Sequence, residues 1–175
     1  MIGLLSKSDT NKYSEKWDAA LNRVSGREDN FFADYLKSQF VFKRNASLEK
    51  QIINSYHRYI FDYNDIANKL SFRRADKKHH ENIKLFINNE LDYYTSLYAK
   101  ISTCGDEFVQ YNLNINDISG LYQQIMAACD VNEELTDEKI HAIAKEADRL
   151  WVLFVLNGIY DSNDFQDVSY RLNEK

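Results

Sequence analysis

The sequence predicts an all-α protein, a single-domain bundle of six to seven helices built on a long antiparallel helix pair. Three observations carry that expectation. Proline is absent from the 175 residues and glycine occurs five times, so the residues that break helices are scarce. Apolar side chains recur at steps of three and four along two long stretches. The Val/Thr alternation of strands is rare. A hydrophobic content of 44% supplies a core, and 28% charged residues with a mean hydropathy of −0.57 mark a folded, water-compatible chain.

Residues 1–12 read as a loosely ordered start to the single domain that spans 1–175. Ser14 is placed as the cap of a short helix carrying Trp17, Ala20, Leu21 and Val24 on one side. The segment 25–30, SGREDN, is a loop. FFADYLKSQFVF, 31–42, is a helix with a wide apolar face. Asn45 and Ser47 mark a break, with Ser47 as the next cap.

The two strongest stripes follow. Leu48, Ile52, Tyr56, Tyr59, Tyr63, Ala67 and Leu70 form the first; Ile83, Ile87, Leu91, Tyr94, Tyr98 and Ile101 form the second. Each predicts a helix of roughly 30–45 Å at about 1.5 Å per residue. Gly105 is a natural left-handed terminator of the second. A short helix is expected over 106–113, then another capped by Asn116 or Asp117 with Ile118, Leu121, Tyr122, Ile125 and Cys129 on its face. After the loop 130–135, Thr136 caps a helix with Asp137 and Glu138 in its first turn. Its stripe is Ile140, Ala144, Ala147, Trp151 and Phe154, and Gly158 stops it. Residues 162–175 form a last short helix over Phe165, Val168 and Leu172. The apolar faces are too wide for a sustained coiled coil.

Composition also narrows the chemistry. Two cysteines, Cys104 and Cys129, cannot build a disulfide framework and lack metal-type spacing. The apolar patch near the N-terminus is too short for a secretory signal. The longest apolar run, LWVLFVL at 150–156, has seven residues, against roughly 20 for a bilayer span. A cytoplasmic protein that does not enter a membrane is expected. Neither a Gly-rich phosphate loop nor a Ser-centred hydrolase elbow appears, and no cofactor is implied.

Charge is uneven. Residues 1–103 hold 17 Lys/Arg and 13 Asp/Glu, a net +4; residues 104–175 hold 5 and 14, a net −9. Such a dipolar distribution steers partners. The one basic concentration is SFRRADKKHH, 71–80. Arg73, Arg74, Lys77, Lys78 and His80 there are candidate contacts for a nucleic-acid backbone or another anion. A solvated corner between helices is the plain alternative, with Asp76 pairing His80 at i,i+4.

Within the same segment Arg74 and His79 are separated by four residues, as RADKKH. That spacing resembles the Arg/His signature of HEPN-type ribonucleases, which are small all-α domains. The resemblance implies that His79 moves the 2′-hydroxyl proton and Arg74 holds the phosphate. Ala75 stands where that family has a polar residue, and the segment is central in the chain rather than late.

Metal chemistry has a thinner basis. Glu138 with His141, and Asp76 with His79, have the Glu-x-x-His type of spacing used by di-iron bundles. No further inward carboxylates complete a ligand set, so no metal site is assigned. His57, beside the Tyr56/Tyr59/Tyr63 stripe, reads as structural or surface.

The aromatic helix at 31–42 offers the leading functional reading. Phe31, Phe32, Tyr35, Phe40 and Phe42 give it more apolar circumference than one bundle face needs. They are candidates for a partner surface, aromatic residues being favoured at interfaces. The expectation is a non-enzymatic helical interaction protein: an inhibitor, regulator or accessory subunit that binds another protein. The acidic last third suits a basic partner. Self-association, RNA cleavage through Arg74 and His79, and backbone binding at 71–80 are the other readings weighed.

Overall fold

The chain enters its fold earlier than its sequence suggests. Ile2–Leu4 form a 3-10 turn and α1 runs Lys7–Asn22. Leu5 is buried, and Met1, Ile2 and Leu4 pack against the core. The expectation of a loose 1–12 is thereby corrected: these apolar side chains have somewhere to bury. Ser6, not Ser14, occupies the cap position; its hydroxyl donates to Asp9 at 2.8 Å. Asp9 also meets Lys84 at 2.5 Å, tying the first turn of α1 to the helix that follows residue 78. The computed structural model describes residues 1–62, 64–103, 107, 111, 120–158 and 162–171.

α2 runs Glu28–Phe40 and is the centre of the bundle. Phe31, Phe32, Ala33, Tyr35 and Leu36 are all buried, as a helix apolar on most of its circumference requires. It packs mainly against α3 (Ala46–Phe61) and α7 (Leu121–Ala128). Phe32 stacks on Tyr56 at 5.1 Å, Phe31 meets Tyr98 edge-on at 5.5 Å, and Tyr35 meets Tyr94 edge-on at 5.4 Å. The buried ammonium of Lys37 is paired with Asp34 at 2.8 Å, one turn away.

This packing corrects the partner surface expected at 31–42. Phe31, Phe32 and Tyr35 are core residues, enclosed by neighbouring helices that supply the surplus apolar contact. Phe40 is half-buried, and Phe42, beyond the helix end, is 46% exposed.

α3 is capped by Asn45 rather than Ser47. The Asn45 side chain accepts from the Leu48 N–H at 3.0 Å, and Glu49 returns to accept from the Asn45 N–H at 2.9 Å. Ser55 has non-helical dihedrals inside α3. The chain then breaks, and Asn64 caps α4 (Asp65–Leu70) by accepting from the Ala67 N–H at 2.9 Å. The first long stripe is therefore shared by two helices: Ile52, Ala67 and Leu70 of it are buried, Leu48, Tyr56 and Tyr59 are half-buried, and Ile60 and Ile66 beside them are buried as well.

The second stripe holds together. α5 (His79–Leu85), a π-helical stretch (Phe86–Leu91) and α6 (Asp92–Ile101) follow without a break. Ile83, Ile87, Leu91, Tyr94, Tyr98 and Ile101 are all buried. α7 follows Gly120, whose φ of +76° suits glycine. Thr136 caps α8 (Asp137–Leu156), its side chain accepting from Lys139 N–H at 3.2 Å. Ile140, Ala144 and Ala147 are buried along it, and Gly158, φ +64°, follows its end. α9 (Ser162–Arg171) returns Tyr170 to the core.

The architecture is all-α, a helical bundle with no strand among the described residues. None of its described helices is long and apolar enough to cross a membrane. Tyr63, Cys104, Gly105, Asn116, Asp117 and Leu172 lie outside the described residues, as does nearly all of the helix expected at 106–113.

Candidate functional site

The basic segment 71–80 is the link between α4 and α5 with the first turn of α5. Its local chemistry divides the residues into two groups. Arg73 closes the link on itself: its backbone N–H and Nε donate to Asp76 Oδ2 at 2.9 and 3.2 Å. Its Nη2 reaches Asp76 Oδ1 at 3.2 Å and Asn68 Oδ1 at 2.8 Å. The Arg73 side-chain hydrogen bond, more than any other influence, holds the Asp76 carboxyl below its usual range. Asp76 thus takes Arg73 as partner, not His80 as the i,i+4 spacing suggests, because Arg73 offers two donors of its guanidinium fork together with its backbone N–H.

His79 is the first residue of α5, half-buried, with Nδ1 2.9 Å from the Asp76 carbonyl oxygen. Its ring lies 4.1 Å from that of His80. Arg74, Lys77, Lys78 and His80 are exposed. With both Asp76 oxygens engaged by Arg73, the Asp76/His79 spacing does not form a ligand pair. Among the described residues, no group of three His, Cys, Asp or Glu side chains could hold a metal ion.

Phe42, the exposed end of the aromatic segment, marks a second region. With Lys43, Arg44, Asp167, Tyr170 and Arg171 it lines a cleft of about 560 Å³ between the α2–α3 link and α9. Lys69 Nζ stands 5.5 Å from the Phe42 ring centre. Lys69 also belongs to a neighbouring cleft of about 300 Å³ with Phe40, Phe72, Phe86, Asn82 and Glu90. In sequence Lys43 and Arg44 are only a close pair; the fold adds Arg171, which no local pattern connects to them.

The third region is the end of α8. Its outward positions begin charged or small: Ala142, Lys145, Glu146 and Arg149 are exposed. The same face then turns apolar, with Leu153 48% and Leu156 77% exposed, and Val155 beside them at 41%. A helix normally keeps its outer stripe polar to the end. The signal was present in LWVLFVL, whose apolar residues run all round the helix.

No protein-family model matches the chain, and no curated protein or solved structure matches it either.

Proposed function

We propose that the protein is a non-enzymatic helical interaction protein that binds another protein through the end of α8. The carrying observation is the change of the outer face of α8 from charged to apolar at Leu153, Val155 and Leu156. Exposed aliphatic side chains at adjoining positions cost solvation until a partner covers them. Lys145, Glu146 and Arg149, one to two turns back, would form a polar rim around such a centre. The net −9 of residues 104–175 favours a partner with basic groups at its edge.

The test compares wild type with the double variant Leu153→Asp, Leu156→Asp as immobilised baits for a native lysate, and in sedimentation. Both positions are exposed, so the variant keeps the wild-type fold and melting temperature. The reading requires a protein retained by the wild type and released by the variant. A wild type that sediments as a monomer and retains nothing the variant loses would end it.

A second reading has its own observation, at His79. A carbonyl oxygen only accepts, so His79 Nδ1, 2.9 Å from the Asp76 carbonyl, carries the hydrogen in this contact. In the neutral ring Nε2 is then the basic nitrogen, the arrangement that an RNA-cleaving base needs. Arg74, exposed on the same link, supplies the cation for the phosphate. Incubation with mixed RNA tests it: cleavage must be seen with wild type and vanish in both Arg74→Ala and His79→Ala.

A further inference from the structure

The cleft between the α2–α3 link and α9 has a charge unlike that of the whole molecule. The protein carries a net −5, yet Lys43, Arg44 and Arg171 all line this one cleft, with Asp167 as the single acid among its described lining residues. Asp167 stands 3.8 Å from Arg44 Nε and offsets that charge. Lys43 and Arg171 make no ion pair among the described residues, and both are exposed. Folding therefore brings two further cations, from distant parts of the sequence, to one concavity. Like charges so placed repel, and an anion between them removes the repulsion and adds charge-assisted hydrogen bonds.

The rest of the lining limits the ligand. The volume of about 560 Å³ falls within the roughly 300–1,000 Å³ of small-molecule sites. Phe42 presents nearly half of its surface to solvent with Lys69 Nζ 5.5 Å from its ring centre, and a planar ring can pack on the exposed part. The buried Tyr170 forms part of the wall. Arginine offers a planar fork for phosphate oxygens and lysine a point charge.

We propose that this cleft binds a phosphorylated small molecule of nucleotide size. Lys43 and Arg171 hold the phosphate, and Phe42 packs against the planar part. The site shares no residue with the end of α8 or with the 71–80 link, so it stands or falls separately from the proposed function.

The test is calorimetric titration of the full chain with pyrophosphate, with a nucleoside diphosphate and with a short single-stranded oligonucleotide. Saturable binding of the nucleoside diphosphate is expected. Lys43→Ala with Arg171→Ala should weaken it about tenfold or more. Phe42→Ala should weaken the nucleoside diphosphate but leave pyrophosphate unchanged. Arg74→Ala with Lys77→Ala, on the other basic segment, should leave both unchanged. Circular dichroism checks that each variant is folded, and Lys43→Glu alone must abolish binding if the double variant is not. The proposal is overturned if neither small ligand saturates, if the Lys43/Arg171 variants bind as wild type does, or if only the oligonucleotide binds. Phe42→Ala without effect on the nucleoside diphosphate overturns the assignment of the planar group.

Discussion

The hydroxyl of Tyr35, a side chain buried at the centre of α2, donates to the carboxylate of Glu90 in the π-helical stretch. Burial first, and then the charge of Glu90, pushes the Tyr35 phenol well above its usual range. The two ends of this bond differ in access to water. Glu90 is half-buried and lines a cleft, so water can replace its lost donor. Tyr35 is 2% exposed, so its hydroxyl has no such recourse.

The pair should therefore respond asymmetrically to mutation. Glu90→Ala strands a buried donor and should cost about 1–3 kcal/mol, while Tyr35→Phe should cost about 1 kcal/mol or less. Urea unfolding of both variants measures this. A Tyr35→Phe variant less stable than Glu90→Ala would mean that the hydroxyl does not depend on Glu90.

Within the basic link, Arg73 and Arg74 are adjacent in sequence and opposite in role. Arg73→Ala removes the clamp on Asp76 and should cost about 1–2 kcal/mol, because a charged hydrogen-bonded group loses its partner. Arg74→Ala, at an exposed position, should stay within about 0.5 kcal/mol of wild type. The pH dependence adds a second readout. The folded Asp76 carboxyl titrates below its unfolded value, so its contribution is present above about pH 4 and is lost as pH falls through the folded value. Arg73→Ala should flatten that acid limb, and equal acid limbs in wild type and variant would refute the clamp.

Much of this structure was legible in the sequence, and the parts that were not have two causes: side-chain caps that periodicity does not sense, and contacts between distant segments. The stripe from Ile83 to Ile101 is legible because the helix continues through the π-helical stretch with every stripe position still buried. From Leu48 to Leu70 the spacing predicts one helix, because periodicity does not sense the Asn64 cap, whose side chain accepts from the Ala67 N–H. At 31–42 the excess apolar circumference was visible, but not that α3 and α7 cover it. Of these neighbours α3 follows directly in the chain, but α7 lies roughly 80 residues on. The same holds for Arg171 beside Lys43 and Arg44. Local pattern fixes faces and ends; which faces meet depends on contacts between distant segments.

The start of α3 gives a local case of the same problem. Asn45 and Ser47 are both good caps by type. Glu49 decides between them, since from its position its carboxylate reaches the Asn45 N–H and completes a reciprocal pair. Asn45→Ala should cost about 1 kcal/mol. Ser47→Ala, which loses only an exposed side-chain bond from Gln51, should stay within about 0.5 kcal/mol of wild type. Thermal melts of the two variants should separate clearly, and a Ser47→Ala loss as large as that of Asn45→Ala would place the cap wrongly.

The tyrosines of the core set the alkaline limit of stability. Tyr35, Tyr94, Tyr98 and Tyr170 are each 2–3% exposed, and burial is the leading cause of a raised pKa at all four. Unfolded tyrosine ionises near pH 10. The folded groups keep their protons to higher pH, so stability is fully present below about pH 10 and falls as pH rises from there toward the folded values. Each such tyrosine contributes a slope of about 1.4 kcal/mol per pH unit over that interval. Urea unfolding between pH 8 and about 11.5 should show a plateau and then a steep decline. Tyr94→Phe removes one of these ionisations and should make the decline shallower. Phenolate absorbance should rise together with unfolding for these residues, not before it. A smooth titration near pH 10 of every tyrosine in the folded protein would show that the core admits the charged ring.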